Sequence, residues 1–118
     1  MRFACLVYGE ERDLAALTRE GLAALDDASL AHDRALADSG HLVIAQALQS
    51  VKTSKTVRRR KGRTIVIDGP FAETKEQLLG FLMVEARDLD EALEIAANVP
   101  LAEIGSIEVR PIYRMPVP

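Results

Sequence analysis

Apolar and polar positions alternate with two different periods along this chain, and the periods divide it into elements. Residues 2–8 form a short apolar run in which Phe3, Cys5 and Val7 point to one side and Ala4, Leu6 and Tyr8 to the other. This predicts a strand with two apolar faces. From residue 18 the period lengthens: Leu22, Leu25, Ser29, His32 and Leu36 recur three and four apart, one stripe of a helix that Thr18 can cap and Gly40 ends. Residues 10–17 read as a connector with some helical character. Residues 42–49 return to a strand pattern, apolar again on both sides. Residues 56–60 and 63–67 flank Lys61-Gly62, a hairpin signal. A two-residue loop there sets Arg59 opposite Thr64, Val57 opposite Val66 and Lys55 opposite Asp68. Residues 81–86 predict a further strand. Asp88 caps a second helix with Glu91 three residues on, Leu89, Leu93, Ala96 and Val99 form its stripe with Ala92 alongside, and Pro100 stops it. Residues 107–113 predict a last strand, with Pro111 marking it as an edge. The tail, residues 115–118, is expected to be loosely held.

The order is β-α-β, a hairpin, then β-α-β, in one α+β domain over residues 1–118. A first strand apolar on both faces needs cover on both. Only two substantial helices are available, so the second face is expected to meet another subunit, which makes the chain a homodimer.

Between the hairpin and the strand at Phe81 lies Asp68-Gly69-Pro70-Phe71-Ala72-Glu73-Thr74-Lys75-Glu76. Gly69 followed by Pro70 favours a sharp turn, with a cis bond open to it. Phe71 is expected to plug into the core and pin the loop. Thr74 with Gln77 reads as a capping box opening a short helical turn that ends near Gly80. Asp68, Glu73, Lys75 and Glu76 would then stand at the mouth of a sheet.

Composition narrows the function classes. The core is aliphatic, since the chain has no Trp and only 4% aromatic residues. Cys5 stands alone, so neither a disulfide framework nor a thiolate metal cluster is expected, and Cys5 reads as a buried small hydrophobe. The absence of a secretory leader pattern and of a membrane-length apolar run makes a cytoplasmic protein with no membrane contact the expectation. Net charge is −3, but seven of the fifteen basic residues fall between Lys52 and Arg63, leaving eight basic against eighteen acidic residues elsewhere. The hairpin is therefore a solvated basic tip or a contact for an acidic partner. Nucleic acid is disfavoured because no aromatic residues are interleaved for stacking. There is no phosphate loop, paired-histidine zinc helix, nucleophile elbow or dinucleotide fingerprint, so no cofactor and no metal is expected. His32 is open to three readings: a core histidine satisfied by backbone or Ser29, a group aimed into a cleft beside the sheet, or an exposed side chain. His41, at a helix-to-strand junction, reads as solvated.

The loop DGPFAETKE, the strand opening at Gly80-Phe81, the segment Asp88-Leu89-Asp90-Glu91-Ala92-Leu93 and the run Gly105-Ser106-Ile107-Glu108-Val109-Arg110-Pro111 together resemble the YCII-related, or DGPF-domain, family. The resemblance implies a ferredoxin-like α+β fold, dimeric in the manner of α/β barrels, here with an inserted β-hairpin. Some YCII-like proteins are similar in pairing a histidine with an aspartate in a small cleft, which makes His32 and Asp68 the candidate acid/base pair. The motif implies a small-molecule site at Asp68, Gly69, Pro70, Phe71, Glu73, Lys75 and Glu76. Other members are similar to proteins encoded beside extracytoplasmic-function sigma factors, so a regulatory module with a sigma factor as partner is the alternative.

Overall fold

A computed structural model describes residues 1–116; Val117 and Pro118, the end of the expected loose tail, lie outside the described residues. Strand β1 (Arg2–Gly9) leads into a one-turn helix α1 (Glu11–Ala15) and then the long helix α2 (Arg19–Asp38). Thr18 caps α2 as expected, its hydroxyl accepting from the Gly21 amide at 2.9 Å. Gly40, at φ 81°, turns the chain into β2 (Leu42–Ala47). The two strands β3 (Lys55–Arg60) and β4 (Arg63–Asp68) form a ribbon of their own, and β5 (Gln77–Glu85), α3 (Leu89–Ala97) and β6 (Ser106–Pro111) complete the chain. No helix among the described residues is long and apolar enough to cross a membrane.

The main sheet runs β2-β5-β1-β6, with every neighbouring pair antiparallel and β6 at an edge. Its register explains the double apolar pattern of β1. Phe3, Cys5 and Val7 share one face with Leu82 and Val84, and these residues are buried with Leu36 of α2 and Ala92, Ile95 and Ala96 of α3. Ala4 and Leu6 share the other face with Phe81, Met83 and, through β5, Ile44. That face is only half-covered. The fold is thus a mixed α+β domain, one antiparallel sheet with helices packed on a single face.

The ribbon follows the expected register, with Lys55 opposite Asp68, Val57 opposite Val66 and Arg59 opposite Thr64. Lys61 and Gly62 both take positive φ, 52° and 74°, the backbone of a tight type I′ turn. The strands pack chiefly on each other, and every ribbon residue except Thr56 is exposed. The radius of gyration is 16.3 Å, against roughly 13 Å for a compact domain of this size, because the ribbon extends beyond the body.

Four local expectations are corrected. The segment from Thr74 to Gly80 does not form a helical turn. Strand β5 already begins at Gln77, because β1 continues to Gly9 and pairs with Leu78 and Gln77 beyond a bulge. Sheet pairing takes the backbone groups that a helical turn would have used. Phe71 does not enter the core: it is 79% exposed, in the loop that follows the positive-φ turn at Gly69 (φ 95°) at the ribbon base. In α3 the buried row is Ala92, Ile95, Ala96 and then Val99, while Leu89 and Leu93 are exposed. Both rows have helical spacing, and the small alanines permit the closer approach to the sheet. Leu22 of the α2 stripe is also exposed, because α2 meets the core through its C-terminal half, where Leu36 is buried.

Candidate functional site

The stripe of α2 that faces the sheet carries a polar break at Ser29 and His32, and that break coincides with an open cleft. About 100 Å³ of space lies between α2, the sheet residues Val7, Ala45 and Leu82, and the turn at Pro100-Leu101 that follows α3. Ser29, His32 and Asp33 form its polar wall, and the remainder is largely apolar. His32 and Ser29 stand one helical turn apart, so both project to the same side. The His32 side chain is only 13% exposed, yet it has no hydrogen bond to another group among the described residues, and neither ring nitrogen is sealed from solvent. The Asp33 carboxylate lies 3.9 Å from His32 Nδ1, too far for a direct hydrogen bond. Of the three readings of His32, a place on the wall of a cleft beside the sheet is the one consistent with its surroundings.

His32 and Asp68 are not brought together within one chain. Asp68 lies on the ribbon, exposed, in an ion pair with Lys55. The carboxylate beside His32 is Asp33, its neighbour in sequence, which no motif singled out; two adjacent polar residues on a helix face give no signal before the cleft is known.

The other residues of the 68–76 loop are spread over several contacts. The Gly69 amide donates to Ser54 O at 2.8 Å, and Gly69 O accepts from the Thr56 hydroxyl at 2.8 Å, which fastens the ribbon base. Pro70 and Phe71 border a separate apolar groove with Leu48, Val51 and Leu78. Lys75 Nζ lies 3.4 Å from Glu10 Oε1, and Glu76 Oε1 lies 3.4 Å from the Ser106 hydroxyl. Glu73 forms no ion pair among the described residues. With no helix at Thr74, Glu73 and Glu76 do not stand at a helix N-terminus. Glu10 is the best-partnered carboxylate here. The Arg12 hydrogen bond holds it below the usual carboxylate range, burial works against that, and Lys75 adds to the effect.

A second polar cluster joins the C-terminal end of α2 to the start of α3. Ser39 Oγ lies 2.7 Å from His41 Nδ1, and His41 Nε2 lies 3.2 Å from Glu91 Oε1. Glu91 also accepts from the Arg87 amide at 2.9 Å and from the Arg87 guanidinium at 2.8 Å. His41 is therefore held between two partners rather than simply solvated. The order serine, histidine, carboxylate is that of an acyl-transfer relay, but an oxyanion site is missing. The amides of Ser39, Gly40 and His41 are all committed to α2 carbonyls, at 3.1, 3.1 and 2.9 Å. Ser39 Oγ also lies within reach of Leu36 O. This cluster is a latch between two helix ends. Glu91 was expected to close a capping box with Asp88; Asp88 does cap α3 through the Glu91 amide at 2.9 Å, while the Glu91 side chain reaches Arg87 and His41 instead.

Among the described residues no group of three or more His, Cys, Asp or Glu is arranged to hold a metal ion. Cys5 is fully buried in the core, where burial raises its thiol pKa, so it is no nucleophile for the cleft.

A small α+β domain with one helix-covered sheet face and a histidine-bearing cleft under its long helix is the class that fold and site define. The chain belongs to the YCII-related domain family, whose family model matches residues 1–116. It is 40% identical over 114 residues to an uncharacterized protein of Rhizobium meliloti (strain 1021), a match that covers 95% of this chain and 92% of the relative.

Proposed function

We propose that this YCII-related domain binds a small organic molecule with one polar end in the cleft beneath α2, that His32 exchanges a proton with it, and that the protein works as a homodimer. The observation that carries the reading is His32 itself. A largely covered imidazole with no protein hydrogen bond, its ring nitrogens open to an apolar cleft beside a carboxylate, is placed to contact a ligand. Imidazole is also the side chain suited to proton exchange near neutral pH. The Asp68, Glu73 and Lys75 rim falls outside this cleft in one chain, so the ligand-facing set rests on Ser29, His32 and Asp33.

Homodimerisation is supported by the half-covered sheet face, where Leu6, Ile44, Phe81 and Met83 lie together on adjacent strands. The β-α-β connectivity on either side of the ribbon, with the antiparallel order β2-β5-β1-β6, favours a ferredoxin-like reading of the kind that pairs open sheet faces.

A thermal-shift panel of small organic acids and amines tests the cleft. At least one compound is expected to stabilise the wild-type protein, to move the His32 ring resonances, and to lose its stabilising effect in His32→Ala. A panel that leaves the melting temperature and the His32 resonances unmoved would remove the reading. A monomeric mass by light scattering at micromolar concentration would remove the homodimer.

A further inference from the structure

The β3–β4 ribbon is the part of the molecule least explained by the body it belongs to. A lone two-stranded ribbon is at best marginally stable in water. This one carries aliphatic side chains on both faces, with Val57 and Val66 on one (63% and 60% exposed) and Ile65 and Ile67 on the other (42% and 47%). Both of its long edges are unpaired. At its tip, Arg58, Arg59, Arg60, Lys61 and Arg63 form no ion pair among the described residues; Arg59 and Arg60 reach only Thr64 and ribbon carbonyls. On the outer side of α2, the carboxylates of Glu20, Asp26, Asp27 and Asp38 are exposed and equally without an ion pair. Arg19 and Arg34 also lie on α2, so its five carboxylates face two guanidinium groups and the surplus is acidic; one chain thus presents unpaired positive charge on an arm and a net negative charge on its long helix.

We propose that the β3–β4 ribbon is a clasp that closes on a second copy of this chain, covering its own exposed aliphatic residues there and setting its tip arginines among the α2 carboxylates of that copy. The proposal rests on the homodimer reading and goes beyond it by giving the ribbon its occupant. The arm leaves β2 and returns into β5, adjacent strands that carry Ile44, Phe81 and Met83 on the half-covered sheet face, so it springs from the rim of that face. Six-residue strands span about 20 Å, long enough to pass beyond the sheet of a facing copy. Charge complementarity selects the register of the clasp, and aliphatic burial holds it. Nucleic acid suits the guanidinium groups but leaves four aliphatic side chains uncovered, and it would meet the surplus of carboxylates on the body.

Sedimentation of the full-length protein at low and high salt tests this with three variants. The double variant Val57→Thr/Val66→Thr, which keeps strand-forming residues at these facing positions, and the triple variant Arg58→Ala/Arg59→Ala/Arg60→Ala are both expected to raise the dimer dissociation constant by about tenfold or more. The wild-type dimer is expected to weaken with salt, and the triple variant to lose that dependence. All substituted ribbon positions are exposed, so unchanged far-UV circular dichroism is expected and confirms folding. In a mixture of single variants Arg60→Cys and Asp27→Cys, a short bifunctional maleimide should give a cross-linked species containing one of each. Met83→Asp separates the two readings. If it yields monomer while both ribbon variants stay as tightly dimeric as wild type, the clasp is wrong and the sheet pairing stands. If the ribbon variants dissociate and Met83→Asp does not, the clasp stands and the sheet pairing fails. A monomeric wild type overturns both. Retention of a short DNA duplex by the wild type, lost in the triple arginine variant while its dimer is unchanged, would assign the tip to nucleic acid and overturn the clasp.

Discussion

A single carbon decides the fit at Gly105. A Cβ there would lie 2.1 Å from the Tyr8 carbonyl oxygen and 3.2 Å from that of Leu101, both backbone atoms with nowhere to move. Gly105→Ala is therefore expected to destabilise the fold by about 3 kcal/mol, the upper part of the overpacking range, seen as a lower urea midpoint. An unchanged midpoint would mean that the turn before β6 is free to open. Cys5 makes the opposite case, a reactive group silenced by its place. It is fully buried and its thiol pKa is raised by burial. A thiol reagent is expected to label it only at the rate at which the protein unfolds, and fast labelling of the native protein would contradict its core position. Both the aliphatic character of the Cys5 site and the apolar pattern of β1 were legible in the sequence. The clash at Gly105 was not, since it depends on the carbonyl of a residue 97 positions away.

At the level of the element, the caps of the two long helices were read correctly, while the cap at Thr74 and several side-chain destinations were not. Thr18, Gly40 and Asp88 bound their helices because caps act over three or four residues of contiguous chain. Glu91 was placed at the right position and given the wrong partner, because Arg87 and His41 approach it from outside the helix. Its pKa is lowered first by the Arg87 amide and then by the Arg87 guanidinium and His41, against the opposing effect of burial. A carboxyl whose pKa is depressed on folding contributes stability above its unfolded pKa, about 4.3, and loses that contribution as pH falls through the folded value. Glu91→Gln is accordingly expected to be less stable than the wild type at neutral pH, with the difference shrinking below about pH 4. Denaturant melts across that window measure it; a difference independent of pH would show that the hydrogen bonds of Glu91, not its charge, hold the latch. The mistaken helical turn at Thr74 has the same origin as the mistaken partner. Its capping pattern was real, but β1 offered the same backbone a longer ladder.

The whole molecule combines a body with one covered sheet face and an arm with almost no cover. Amides of β1 and β5, the two central strands, are expected to exchange most slowly with solvent. The ribbon amides should be protected only when the protein is concentrated enough to pair, and exchange measured over a dilution series would show it. Ribbon protection that does not vary with concentration would mean that the arm is held by its own body.

The sequence by itself determined most of the elements, the hairpin register and the buried side of β1. All of these follow from spacing and turn chemistry along contiguous chain, where the period of the side chains and the reach of a cap are fixed by backbone geometry. Family membership was legible for a related reason, since a nine-residue loop motif and its flanking segments are local patterns. Asp68 pairs with Lys55 as the hairpin register predicts, whereas tertiary structure alone decided that His32 lines a cleft with Asp33 beside it, that Phe71 faces outward and that the ribbon stands clear of the body. Each of these depends on which distant segments share a face, and that is set by sheet order and by the β1 bulge, which leave no periodic mark on the residues they bring together.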